Sequence, residues 1–127
     1  MNQPKKISVL IPNYNAGNYI GQAIESILAQ TVMPDEIIIV DDASTDNSWK
    51  IITEFAHKYN FIKTYRNEKN SGVSYTRNRL IAQATGFYLV FLDSDDLALP
   101  TRIEKQLKFL NENKDIDICG TNFYLID

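Results

Sequence analysis

"EIIIVDDASTD", residues 36–46, decides how this chain folds. Ile37, Ile38, Ile39 and Val40 run without a polar interruption and then break on two aspartates and a Ser/Thr turn. A strand with one wet face alternates apolar and polar side chains. An unbroken β-branched run is instead expected to be buried on both faces, the habit of parallel sheets covered by helices. "FYLVFL" (87–92) reads the same way. "ISVLI" (7–11) is a shorter run that ends at Pro12, and "FIKTY" (61–65) is mixed enough to suit a strand nearer the sheet edge.

Helical spacing fills the intervals. Ile20, Ala23, Ile24, Ile27 and Leu28 share one face, as do Trp49, Ile52, Phe55, Ala56 and Tyr59. Val73, Leu80, Ile81 and Ala84 mark a third helix, with Gly86 placed to close it. Pro100 suits the first turn of a fourth, with Ile103, Leu107 and Leu110 inward. "IDICGTNFYLI" (116–126) predicts one or two further strands, with Cys119 as a small core hydrophobe. Strand–helix alternation specifies parallel βαβ units with right-handed crossovers. The expectation is one α/β domain over residues 1–127, Rossmann-like, with a mostly parallel sheet and helices on both faces. Ligands of such sheets bind beyond the carboxyl ends of the strands, where strand order reverses.

Composition narrows the functional classes. The chain has 127 residues, 44% apolar and 23% charged, with net charge −3. That balance argues against a broad basic face for nucleic acid. One cysteine makes no internal disulfide and fits a reducing compartment. No apolar run approaches the roughly 18 residues of a membrane span. Met1 to Lys6 is short and polar and runs into the first strand, so no signal peptide is expected.

The strand ends carry the chemistry: "PNYN" (12–15), "DDASTD" (41–46) and "DSDD" (93–96). Three close carboxylates repel unless something partners them. Asp-x-Asp oxygens suit magnesium or manganese that shares its remaining ligands with phosphates. Water or a helix N-terminus could serve instead: Asp96 could cap the helix near Pro100, and Asp46, with Ser44 and Thr45, the helix after strand two. Arg77 could neutralise phosphate or pair with Asp41 or Asp93. Arg79 is expected to be solvated, and His57 to lie on a helix surface.

Taken in order, "ISVLIPNYN" (7–15), "IIIVDDASTD" (37–46), "NSGVSYTRN" (70–78) and "FLDSDD" (91–96) resemble the family 2 glycosyltransferases of GT-A fold. The resemblance spans essentially the whole chain. It implies the N-terminal, donor-binding part of an enzyme that transfers a sugar from a nucleotide-diphospho-sugar, UDP-linked, with manganese or magnesium. By the same resemblance, Pro12, Tyr14 and Asn15 lie along base and ribose, and Asp41 reads the base edge. Gly72 permits close backbone approach and Arg77 lies near the nucleotide. Asp93 approaches ribose or metal-bound water, Ser94 stands beside it in the nucleotide site, and Asp95 binds the metal. The general base of such enzymes lies in an acceptor-binding half further along; Asp127 is too close to Asp95 to be that base. A cytoplasmic enzyme is implied. Homodimerisation, and peripheral attachment of the parent at the inner membrane face, are compatible with it.

Two other classes compete. A non-catalytic nucleotide-sugar-binding module would share these motifs. A phospho-acceptor receiver domain has an acidic pair and a later aspartate, which Asp41, Asp42 and Asp93 superficially fit. It places that pair after its first strand, however, and needs a lysine that "ICGTNFYL" (118–125) does not offer.

Overall fold

A computed structural model describes residues 4–126. Met1 and Asp127, read above as chain start and excluded base, lie outside the described residues. The elements alternate: β1 (Ile7–Asn13), α1 (Ile20–Leu28), β2 (Glu36–Asp41), α2 (Ser48–Lys58), β3 (Ile62–Arg66), α3 (Val73–Gln83), β4 (Tyr88–Phe91) and α4 (Arg102–Glu112). The strands form one all-parallel sheet in the order β3-β2-β1-β4. Every residue of β2 is buried, as its unbroken apolar run requires. The mixed strand β3 lies at an edge.

Alternate β residues feed two cores. Val9, Ile11, Ile37 and Ile39 meet Ile20, Ile24 and Ile27 of α1, Ile52 of α2 and Ile103 of α4. Leu10, Ile38 and Val40 point the other way, onto Leu80 of α3. Each fully buried Ile or Leu contributes about 1.5–3 kcal/mol relative to exposure. The first two crossovers thus share one face. The third, through α3, uses the other face and carries the chain to the far side of β1. Strand order therefore reverses between β1 and β4, and the crevice belongs at their carboxyl ends.

Several expectations are corrected. β4 is an edge strand covered on one face only. Tyr88 and Val90 pack inward, while Phe87, Leu89 and Phe91 are exposed because α3 packs over β1 and β2 instead. On α3 the buried face is Thr76 and Leu80; Val73 and Ile81 are exposed. Residues 116–126 form no strand. They run beside α4, where Gln106 Nε2 donates to the Cys119 carbonyl (3.1 Å), and Cys119 is only half-buried. Gly86 is no helix cap: a Cβ there would stand 2.5 Å from Ser8 Oγ and 2.7 Å from Ser8 N, so glycine is needed for close approach to β1.

At the strand ends opposite the crevice, Glu36 is buried. It accepts hydrogen bonds from Ser8 Oγ (2.6 Å), Thr85 N (2.8 Å) and Thr85 Oγ1 (3.0 Å), and pairs with Lys63 Nζ at 3.0 Å. Burial opposes its ionisation, but the bonds from Ser8, Thr85 and Lys63 prevail and hold the carboxyl at about 2.

Candidate functional site

The β1–α1 and β2–α2 loops are laced together at the crevice. Asn15 adopts φ 48° and Ala43 φ 58°. Asn tolerates that left-handed backbone, whereas alanine needs its surroundings to impose it. Asn15 N donates to Ser44 Oγ (2.9 Å), and Asn15 Oδ1 accepts from Thr45 N (2.8 Å). Gly17 N donates to Asp46 Oδ2 (2.8 Å), while Asp46 Oδ1 takes the N–H of Ser48 (2.9 Å) at the start of α2; the cap position itself is Asn47, with no side-chain bond, so Asp46 stands one residue short of the cap expected of it.

Asp41 lies beneath this lacing and is wholly buried. Its Oδ1 accepts from Asn13 Nδ2 (2.8 Å) and Ser44 Oγ (2.5 Å), and its Oδ2 from Ser44 N (3.0 Å). Arg66 Nε stands 3.3 Å from Oδ2, and Arg66 Nη2 donates to the Ser44 carbonyl (2.8 Å). Asp41 is thus a structural anchor that does not line the crevice. Asp42 does line it. Its Oδ1 accepts from Asn67 Nδ2 (2.9 Å) and Ser71 N (2.7 Å), and its Oδ2 from Gly72 N (2.9 Å). Burial works against its charge, but these bonds outweigh it and lower its pKa. A carboxylate has about four acceptor positions, so Oδ2 keeps one for a ligand. Gly72, at φ 91°, gives the turn that brings its N–H to Asp42.

The crevice encloses about 540 Å³. Pro12, Tyr14, Asn15, Gly72, Arg77, Asp93, Ser94 and Asp95 all line it, so the structure brings together every expected site residue except Asp41. Asn13, Tyr19, Asn70 and Thr76 line it too and were not anticipated. Tyr19 stands just ahead of α1, and with Tyr14 it offers exposed aromatic surface at the mouth. Asn13 Oδ1 is the one buried side-chain polar atom without a partner among the described residues. Turning its amide over would set that oxygen against the Asp41 carboxylate, so its orientation is determined.

The β4–α4 loop supplies the third side. Asp93, Asp95 and Asp96 are exposed and each presents an oxygen within 4.8 Å of the others. Residual desolvation, followed by repulsion from Asp95 and Asp93, raises the pKa of Asp96. An oxygen-only donor set of three carboxylates, compensated in part by Arg77, fits a hard divalent cation. Asp96 does not cap α4: the cap position is Thr101, with no side-chain bond. Of the two pairings open to Arg77, the structure shows Asp93, at 3.3 Å; Asp41 is taken by Arg66. Arg79 is not free in solvent. Its Nη1 donates to the Arg66 carbonyl (2.9 Å) and to Asn67 Oδ1 (2.8 Å). His57 is exposed on α2, as expected. Among the described residues no helix is long and apolar enough to cross a membrane.

Comparison with known proteins agrees with this geometry. The sequence model of "Glycosyl transferase family 2" matches residues 8–126. The glycosyltransferase YibD of Escherichia coli (strain K12) is 41% identical over 122 residues, which is 96% of this chain and 35% of YibD. The structure of S. aureus TarS residues 1–349 in complex with UDP-GlcNAc superposes with TM-score 0.77 at 34% identity, covering 86% of this chain and 32% of that one. The mannosyltransferase PcManGT from Pyrobaculum calidifontis, in complex with GDP-Man and Mn2+, gives TM-score 0.76 at 25% identity, covering 85% and 33%. The chain therefore spans about a third of each of these proteins, and its parallel sheet with helices shares their GT-A fold.

Proposed function

The chain belongs to glycosyl transferase family 2, and from that premise we propose that it holds the nucleotide-diphospho-sugar donor, UDP-linked, of a metal-dependent transferase. The observation that carries this reading is the crevice at the β1/β4 switch point, lined by an exposed tyrosine, a buried acceptor, an arginine and an acidic group. Tyr14 stacks on the base, with Pro12 and Asn15 along base and ribose. The base-edge role expected of Asp41 passes to Asp42, which reaches the crevice and keeps an open acceptor position, sufficient for an imide N–H. Asp93 and Ser94 face the ribose. Asp95, with Asp93 and Asp96 beside it, holds manganese or magnesium, and Arg77 meets the diphosphate. The bound cation supplies Lewis-acid stabilisation of the leaving diphosphate.

Transfer to an acceptor also needs a base within hydrogen-bond reach of the attacking hydroxyl, a contribution of about 10² to 10⁴-fold. None of the nearby carboxylates is assigned that role: Asp41 lies beneath the crevice and is fully hydrogen-bonded, Asp42 takes the base edge, and the Asp93–Asp96 group takes the cation. We assign the base and the acceptor pocket to the further length that the relatives carry. The reading is tested by a thermal-shift panel of nucleotides. UDP with Mn²⁺ raises Tm more than either alone, by about 2.7 kcal/mol of stabilisation at a hundred times Kd. A response to AMP or NADH, with none to any nucleoside diphosphate, overturns it.

A further inference from the structure

Arg77 and Asp93 face each other across the mouth of the crevice, from α3 to the β4–α4 loop, with Nη2 and Oδ1 3.3 Å apart. Asp93 also belongs to the three-carboxylate group suited to a divalent cation. A guanidinium has donors but no acceptor and remains charged, so it occupies on Asp93 the same negative charge that a cation would use. From this juxtaposition we propose that Arg77 is a partner-exchange residue: in the empty cleft it holds Asp93 in place of the cation, and it is released to the diphosphate when the cation binds. This rests on the donor reading above and adds a coupling between the two ligands of the site.

The thermodynamics follow from the shared pair. Whichever ligand binds first must break Arg77–Asp93, and the second finds it already broken. The two therefore bind with positive cooperativity beyond any direct contact between them, and the coupling is reciprocal. Both side chains are about half exposed, at 48% and 53%. Such pairs are weak, so the effect on each affinity is about 2- to 5-fold. A weak pair suits an exchange, because a strong one would exclude the cation altogether. No other cation competes for Asp93 among the described residues: Arg66 pairs with Asp41 and Lys63 with Glu36. Arg102 acts electrostatically on Asp96 and is held by its bond to the Phe91 carbonyl (2.9 Å).

The test uses the full chain, first with Mn²⁺ alone, followed through the paramagnetic resonance of the free ion. Arg77→Ala should bind Mn²⁺ about 2- to 5-fold more tightly than wild type, and Arg77→Lys should fall between them. Calorimetric titration then reads UDP. Arg77→Ala should bind metal-free UDP more weakly, and the factor by which Mn²⁺ tightens UDP should shrink by the same 2- to 5-fold. Opposite signs for one substitution distinguish exchange from mere loss of structure, which would weaken both ligands. Unchanged or weaker Mn²⁺ binding by Arg77→Ala overturns the proposal, as does absence of Mn²⁺ binding in both proteins. Failure of UDP to bind wild type while the Mn²⁺ result holds would instead overturn the donor reading and leave the competition itself demonstrated.

Discussion

The two walls of the crevice are built by opposite means. The wall formed by the ends of β1 and β2 is built in advance, with one acceptor position left open on Asp42. Asp41 and Asp42 are buried, and six protein donors other than arginine are spent on their four oxygens. Arg66 backs Asp41 while stacking over Trp49 (5.4 Å), and Arg79 closes the network from behind, over Tyr65 (5.6 Å). The wall after β4 is open. Its three aspartates are exposed, and its one ion pair is half exposed. Under the proposed function, the difference is a division of labour. A wall that recognises a flat base gains from donors and acceptors fixed before the ligand arrives. A wall that takes a cation and a diphosphate must keep its charge free or only weakly paired until they come.

The sharpest way to break this comparison is to remove a saturated carboxylate. Asp41→Ala leaves Asn13 Nδ2 with only its long bond to Ser44 Oγ (3.3 Å), strands the Ser44 N–H in a dry site, and removes the carboxylate partner of Arg66. It should destabilise the fold by about 3–4 kcal/mol, at the lower end for a buried pair because Arg66 is half exposed. Urea denaturation reads the effect. Asp95→Asn on the open wall should change stability by less than about 0.5 kcal/mol in the same experiment. Equal losses would erase the distinction between the walls.

The next effect is a pH dependence at the far end of β2. Folding lowers the Glu36 carboxyl from its ordinary 4.5 to about 2. The resulting stabilisation, about 3 kcal/mol, is fully present above pH 4.5 and is lost as pH falls from 4.5 toward 2. Asp42 and Asp46 are lowered too and act in the same direction. Asp96, on the open wall, is raised and acts in the opposite one. Stability measured between pH 6 and 2 should fall steeply in wild type and by about 3 kcal/mol less in Glu36→Gln. An unchanged slope in the variant would remove Glu36 from the account. A smaller effect concerns fit rather than charge. Gly86→Ala places a methyl against the Ser8 backbone and should cost about 1–3 kcal/mol, read as a lowered urea midpoint.

The same contrast explains what was legible in the sequence. The unbroken run of β2 specified a strand buried on both faces, and the motif order specified the switch-point crevice. "FYLVFL" (87–92) looked equally apolar, yet β4 lies at an edge, because apolar character does not say which strands a crossover helix will cover. Residues 116–126 have strand composition but pair with no strand among the described residues. Asp41 and Asp42 could not be told apart by strand parity: β2 is buried on both sides, so neither direction is marked as outward. The donors that decide between them, Asn67, Ser71 and Gly72, come from the loop before α3. Gly86 has the spacing of a cap, but its proximity to Ser8 is a tertiary fact that spacing does not record.

The central claim is that the base is bound by the built wall and the cation by the open one. Its most direct test is calorimetric titration of UDP into wild type and Asp95→Asn, each with and without Mn²⁺. The account predicts that Mn²⁺ tightens UDP binding to wild type, that metal-free affinity is the same in both proteins, and that Mn²⁺ adds nothing to Asp95→Asn. Equal tightening by Mn²⁺ in both proteins would contradict it.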